Sequence, residues 1–546
     1  MFHLLPIIVL VLLLIYILKK RHDGMQFFKR FNIPGPKPSI LSGNLWEIYK
    51  RGHMVMQREW HAEFGPIVGY FFGPLPILLI SDQELLKTIL LRDFHDFADR
   101  PVSLERLSDL MGPPKGTGFD ESLILLRGQR WKDVRSTLTP SFTSKKLKQI
   151  APEMCTSVDL FMENVGSCFI EGKECDIYEL LQALTLDTIC RVGMGVDFGV
   201  QKDVANSKLL KQVKIMTSFP LTFMALILYS LVDVAAILLS IFLRLKNSRE
   251  NSGSDPITAL KKQCSTIVKQ RREKPELRRN DLLQLMIDAQ MREAPTNIDA
   301  LIAGDEADEN REGENTTAVP GKISACPFSG EGSRGLTDGE VIDNAFLVLL
   351  AGYETTSSAL AFITKLLLRF PEVQERVRCE LLEATAQGKE FDFDRLQRCQ
   401  YLEAVVQESL RLYPPVYFFT MRACAVQKVY GSITIPKDAR IAVSVRELHY
   451  DPDVFEDPHD FKPERFLPEN KTSAMSWAWQ PFGAGPRNCI GMRFAQMEIK
   501  ITLAKLLSQY RLSSDREPYH DPNIATNVLP NLQRVKDPLS CKLEKL

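Results

Sequence analysis

One of the eleven cysteines stands in a setting that could make its sulfur reactive. Phe482-Gly483-Ala484-Gly485-Pro486-Arg487-Asn488-Cys489-Ile490-Gly491 puts three glycines and a proline around Cys489, and a long amphipathic segment follows at once. Such glycines let backbone come close to a flat ligand. Loop amides and the N-terminus of a following helix favour a thiolate there. Arg487, two residues earlier, can reach an anionic group on the same ligand. Taken alone, a lone cysteine is more often inert core.

Three further constellations could serve the same site. Ala351-Gly352-Tyr353-Glu354-Thr355-Thr356 sets an acid and hydroxyls inside an apolar helix, where they are costly unless used. Gly352 removes a side chain and would leave room for a small ligand against the backbone. The plain alternative is a threonine back-bonded to the preceding turn. Glu408 and Arg411 are neighbours on one helix face at i and i+3, a spacing common in surface ion pairs. Trp131 and Arg135 share a face at i and i+4. From Arg127 to Lys148 come Arg127, Arg130, Lys132, Arg135, Lys145, Lys146 and Lys148, against Asp133 alone.

The elements that must position these groups are mostly helical. Thr337-Asp338-Gly339-Glu340 is a capping box that predicts a long helix to Phe370, stopped by Pro371. Ile67–Phe72 and Ile77–Ile80 predict two strands joined by Gly73-Pro74-Leu75-Pro76, and Val429–Val445 alternates like strand with breaks at Gly431 and Pro436-Lys437-Asp438. The fold class expected is mainly α with small peripheral β-sheets (α+β).

At the N-terminus, Phe2 to Leu18 is almost wholly apolar and spans about 26 Å as helix. Lys19, Lys20 and Arg21 follow it. That order predicts a retained transmembrane anchor with the body in the cytosol. Phe31-Asn32-Ile33-Pro34-Gly35-Pro36-Lys37-Pro38 predicts a stiff spacer that would hold a globular body off the membrane. Ile215–Leu243 is a second apolar stretch, read as a helix pair dipping into the membrane surface or as core. Residues 294–336 are acidic and read as a flexible surface insertion. The division expected is an anchor at 1–21, a proline-rich linker at 22–48 and a catalytic domain at 49–546.

Lys+Arg and Asp+Glu are 68 each, a formal net charge of zero, which argues against a nucleic-acid partner. The cysteines form no C-x-x-C pair, so neither a disulfide framework nor a zinc site is expected.

The Cys489 decamer resembles the haem-binding loop of the cytochrome P450 family, F-x-x-G-x-R-x-C-x-G, with Phe482, Gly485, Arg487, Cys489 and Gly491 at the specified positions. The resemblance covers roughly residues 30–546 outside the acidic insertion. It implies the family's fold, haem b (iron protoporphyrin IX) as cofactor, Cys489 as the axial ligand to its iron, and Arg487 paired with a propionate. It also implies propionate contacts for Trp131 and Arg135. Arg422 is a weaker propionate candidate; near relatives often carry an acid five residues after it, where Gln427 stands here. Ala351–Thr356 matches the oxygen-activation site, with Thr355 and Glu354 as the catalytic pair. Glu408, Arg411 and Arg465 would form a structural network that locks the segment presenting Cys489.

Within the family, residues 138–147 and 488–495 look most like the microsomal 3A-type drug and steroid oxidases and thromboxane synthase. Thr355 favours a monooxygenase, and the substrate expected is a lipophilic small molecule, a steroid, fatty acid or xenobiotic. The competing readings are an endoperoxide isomerase and a non-catalytic haem protein. The expected partners are an NADPH–cytochrome reductase, docking on part of the basic run, and cytochrome b5. The expected location is the endoplasmic reticulum membrane. Phe219, Leu221, Phe223 and Met224 are candidate lining of an apolar access channel.

Overall fold

The computed structural model describes residues 4–101, 119–170, 175–217, 226–227, 230, 256–279, 281–290, 335–384, 393–418, 420–528 and 532–545. Phe219, Leu221, Phe223, Met224 and most of segments 101–122, 215–243 and 294–336 lie outside the described residues. The chain folds as two compact units, Met1–Lys115 with Pro220–Gly253 and Phe418–Leu448, and the remainder.

The first unit is built on a four-stranded sheet. Ile67–Phe72 pairs antiparallel with Leu75–Ile80, Phe72 facing Leu75 across a Gly73-Pro74 turn. Gly73 takes φ 63°, which an L side chain resists. The connection is thus two residues shorter than expected. Pro76 fits in the strand because it precedes Ile77–Ile80, the stretch that pairs in parallel with Arg440–Val443 on the other side. Met421–Ala423 closes the sheet. Lys428–Tyr430 and Ile433–Ile435 form a separate hairpin, so the breaks at Gly431 and Pro436-Lys437-Asp438 were legible.

The N-terminal helix of this unit runs Leu4–Met25. The proline segment after it is not a free-standing spacer. The Gly69 N–H donates to the Pro34 oxygen at 2.8 Å, and a Cβ on Gly35 would lie 2.0 Å from the Gly69 oxygen. Closely spaced prolines keep this stretch extended, and Gly35 lets it lie flat on the strand.

The second unit is a helical body around Asp338–Arg369, a helix of 32 residues. Its start is the expected capping box: Thr337 Oγ1 accepts from the Glu340 N–H at 3.0 Å, and Glu340 Oε2 accepts from the Thr337 N–H at 2.8 Å. Phe370 leaves helical geometry and Pro371 opens the next helix, Pro371–Ala384. Among the described residues this is the one helix apolar and long enough to cross a membrane, but it is a core helix, buried from Thr356 to Arg369. It packs on Ile177–Thr188, Gln400–Leu412 and Met492–Gln509. Two small sheets, Cys175–Asp176 with Ser540–Lys545 and Tyr510–Ser513, and Thr526–Val528 with Gln533–Val535, sit beside the helices.

Candidate active site

Cys489 closes a loop turned by two glycines in left-handed backbone, Gly483 at φ 74° and Gly485 at φ 72°. The Gly483 N–H donates to the Gln480 oxygen (3.1 Å), the Asn488 N–H to the Gly485 oxygen (2.8 Å) and the Cys489 N–H to the Phe482 oxygen (2.8 Å). Substituting either glycine would oppose these turns. The helix Met492–Gln509 starts three residues after Cys489, with Gly491 at its cap. The Phe482 ring packs 6.0 Å from that of Trp479, whose indole N–H donates to the Gln407 oxygen at 2.9 Å.

Exposure separates this thiol from the structural ones. Cys190, Cys264, Cys399 and Cys424 are buried, and burial pushes Cys264 up to about 12 and Cys399 and Cys424 up to about 11. Those sulfurs keep their protons and act as small apolar groups. Cys489 is exposed on its turn. Cys379 is exposed as well, but its sulfur faces the Glu375 carboxylate at 3.8 Å.

The helix Gly128–Leu138 buttresses the loop from one side. Arg487 is buried, with its guanidinium 4.0 Å from the Trp131 ring centroid and Nη2 donating to the Leu126 oxygen at 2.9 Å. Arg135 donates through Nη1 to the Asn488 oxygen (3.1 Å) and through Nη2 to Asn488 Oδ1 (2.8 Å). The i, i+4 spacing puts Trp131 and Arg135 on one helix face, and that face meets the loop.

A second buttress comes from Gln400–Leu412. Arg411 donates to Glu408 Oε2 and Oε1 at 2.7 and 2.9 Å, and neither side chain reaches solvent. Arg465 Nε (3.3 Å) and the Lys462 N–H (3.0 Å) also reach Glu408 Oε1. Arg411 spends its remaining donors on the His449, Pro458 and Asp460 carbonyls at 2.7–3.1 Å. A buried ion pair is stable only when its other donors and acceptors are satisfied, as here. Glu408, Arg411 and Arg465 are thus brought together.

On the long helix, Thr355 Oγ1 donates to the Ala351 oxygen at 2.7 Å. Ala351 is exposed and Thr355 partly so, while Tyr353, Glu354 and Thr356 are buried. The Glu354 carboxylate accepts from the Tyr178 hydroxyl at 3.1 Å and Thr217 Oγ1 at 3.2 Å, and Arg534 Nη1 stands 3.6 Å away. Burial, and then the charge of Glu354, raise the Tyr178 phenol above its ordinary value. The room beside Gly352 is not ligand space: a Cβ there would meet Ile189 Cδ1 at 3.0 Å. The glycine lets the long helix pack closely on the turn Ile189–Gly193.

Arg422 belongs to the first unit, buried on the strand Met421–Ala423 with Nη1 donating to the Met421 oxygen at 2.9 Å. Of the basic run, Arg130 pairs with Glu340, Arg135 holds the cysteine loop and Lys148 pairs with Asp394 at 2.6 Å. Sequence reasoning missed Asn488, Tyr178, Thr217, Arg534 and His449. Tyr178 and Glu354 are 176 residues apart, and no local pattern marks such a contact.

The donor chemistry can be tested against haem. Among the described residues no three His, Cys, Asp or Glu side chains cluster as they would around a bare ion. A single exposed sulfur on a turn suits an iron whose other ligands come from a macrocycle, so the residues fit the group. A helical body that presents one thiol on a glycine-turned loop, buttressed by Trp131, Arg135 and the Glu408–Arg411 pair, has the make-up of a haem-thiolate protein.

The chain belongs to the cytochrome P450 family, whose model matches residues 33–319 and 323–534. It is 31% identical over 511 residues to cytochrome P450 3A6 of Oryctolagus cuniculus, covering 93% of this chain and 90% of that one. Cytochrome P450 3A5 of Homo sapiens is 30% identical over 514 residues, with the same coverage of 93% and 90%. Thromboxane-A synthase of Rattus norvegicus is 29% identical over 492 residues, 89% of this chain and 87% of the relative.

Proposed function

We propose that the chain is a haem-thiolate monooxygenase of the endoplasmic reticulum membrane, inserting one oxygen atom of dioxygen into a lipophilic small molecule with electrons from NADPH delivered by a flavoprotein reductase. The observation that carries this reading is Thr355 beside Glu354, midway along the helix at the centre of the unit that also presents Cys489. Haem held by a cysteinate supplies the redox chemistry that splits dioxygen.

The chain's own residues do the rest. Cys489 would hold the iron, and Arg487, Trp131 and Arg135 would hold the propionate side. Phe482 packs on Trp479 and steadies the loop. The Thr355 hydroxyl is a donor that a χ1 rotation can turn from the Ala351 oxygen toward the ligand side. Glu354 is the acid next to it, and Tyr178 and Thr217 hold its oxygens. Glu408, Arg411 and Arg465 are structural. The N-terminal helix leaves Ile8, Val11, Leu12, Ile15 and Tyr16 exposed, which supports an anchor ending near residue 21, ahead of the linker and the catalytic domain.

The likeness to thromboxane-A synthase supports one competing reading, a lipid endoperoxide isomerase. A carbonyl difference spectrum of the reduced protein, then NADPH and dioxygen consumption across steroids, fatty acids and xenobiotics, separates the two. Product formation that needs reductase supports the monooxygenase. Endoperoxide conversion with no reductase present overturns it, and so does a carbonyl spectrum with no NADPH use on any substrate.

A further inference from the structure

His449 is fully buried at the end of the helix Val445–His449, and both of its ring nitrogens have partners. Nδ1 lies 2.8 Å from the Arg411 carbonyl oxygen, which can only accept, so Nδ1 carries the hydrogen. The Gln480 N–H, which can only donate, lies 2.8 Å from Nε2, so Nε2 is the bare acceptor. Together they select one neutral tautomer. The His449 backbone oxygen in turn accepts from Arg411 Nη1 at 2.8 Å.

Gln480 is where the cysteine loop begins. Its own oxygen takes the Gly483 N–H, and the Phe482 oxygen takes the Cys489 N–H. The imidazole is therefore a rigid bridge between the Glu408–Arg411 helix and the first peptide of the loop. Trp479 is held independently through its indole N–H on the Gln407 oxygen, so what His449 controls is the direction of the Gln480 peptide.

We propose that His449 is a positioning residue for Cys489, its Nε2 fixing the orientation of the Gln480 peptide and so the placement of the sulfur. The proposal rests on the reading that Cys489 ligates haem iron.

The test is the carbonyl difference spectrum of the reduced full-length holoprotein and of two variants. His449→Asn keeps a donor for the Arg411 oxygen but has no acceptor at the Nε2 position. His449→Gln reaches that position with its amide oxygen and gives up the donor. The expected result is that His449→Asn lowers the ratio of thiolate-type to neutral-thiol-type carbonyl complex about tenfold, the scale of one hydrogen bond, while His449→Gln stays within about twofold of the parent. Equal ratios in both variants, or lower stability and haem content at an unchanged ratio, overturn the proposal. Should neither variant fold, amide exchange in the parent holoprotein decides. The Gln480 amide should exchange as slowly as those of Gln400–Leu412, and exchange at the rate of an open loop overturns it. A parent with no thiolate-type carbonyl complex would instead sink the reading of Cys489 on which the proposal rests.

Discussion

Arg135 holds Asn488 by both its backbone and its side chain, Nη1 to the carbonyl at 3.1 Å and Nη2 to Oδ1 at 2.8 Å. The residue next to the proposed iron ligand is thus clamped from a helix some 350 positions earlier in the chain. Arg135→Ala removes two charge-assisted bonds, each worth about 1.5–3 kcal/mol. Haem per protein should fall several-fold in that variant, and Arg135→Lys should restore little because one ammonium cannot reproduce the fork. Full haem loading in Arg135→Ala would show that the clamp does not hold the site.

Fewer cations are available for an electron donor than the basic run suggests. Arg130, Arg135 and Lys148 have intramolecular acceptors, whereas Lys145 is exposed and Lys146 partly so at the start of the helix Ser144–Ile170. Lys145→Glu with Lys146→Glu should slow reductase-supported turnover about tenfold or more, with a steep ionic-strength dependence, and spare peroxide-supported turnover. Equal loss in both assays would mean that these lysines do not meet the reductase.

Two buried histidines give a pH dependence with a definite sign. Burial lowers His53 and His449 to about 3 from an ordinary 6.5. The unfolded chain binds protons below 6.5 that the folded chain refuses until about 3, so stability falls as pH drops through that window. Each should cost about 2 kcal/mol at pH 5 relative to neutral pH. Glu498 acts in the opposite direction: burial raises its carboxyl well above the ordinary value, so stability falls as pH rises above about 4.5. Denaturant unfolding at pH 5 and 7 checks the His53 share. His53→Gln should remove about 2 kcal/mol of the difference between the two, and an unchanged difference would show that His53 titrates normally.

The parts of the site legible in the sequence are those whose partners are close in the chain. The capping box at Thr337, the turn at Gly73, the Glu408–Arg411 pair and the glycines of the cysteine loop each follow from local rules. What escaped depends on distant partners. Gly352 has the spacing of ligand space, yet Ile189, 163 residues earlier, occupies it. The proline segment has the composition of a spacer, but Gly35 opposite Gly69 lets it lie against the strand Ile67–Phe72. His449 has no motif around it, since both of its ring partners come from other segments. Arg130 stands in the basic run, but its acceptor Glu340 is 210 residues away, where no local pattern marks it.

Thr355 and Glu354 are adjacent in sequence but differently held. Glu354 is buried with acceptor contacts to Tyr178 and Thr217, whereas Thr355 is partly exposed and its hydroxyl donates to its own helix at Ala351. A hydroxyl back-bonded in this way rotates away at a cost of about 1 kcal/mol, which leaves it free to take the role proposed for it. Thr355→Ala should leave haem loading and substrate binding intact while lowering product formed per NADPH consumed, the balance appearing as hydrogen peroxide. Thr355→Ser keeps the hydroxyl and should keep most of the coupling. Tyr178→Phe removes one donor to Glu354 and should alter the solvent isotope effect on turnover more than substrate affinity. Product, NADPH and peroxide measured together in one assay decide the matter, and unchanged coupling in Thr355→Ala would remove Thr355 from the reaction.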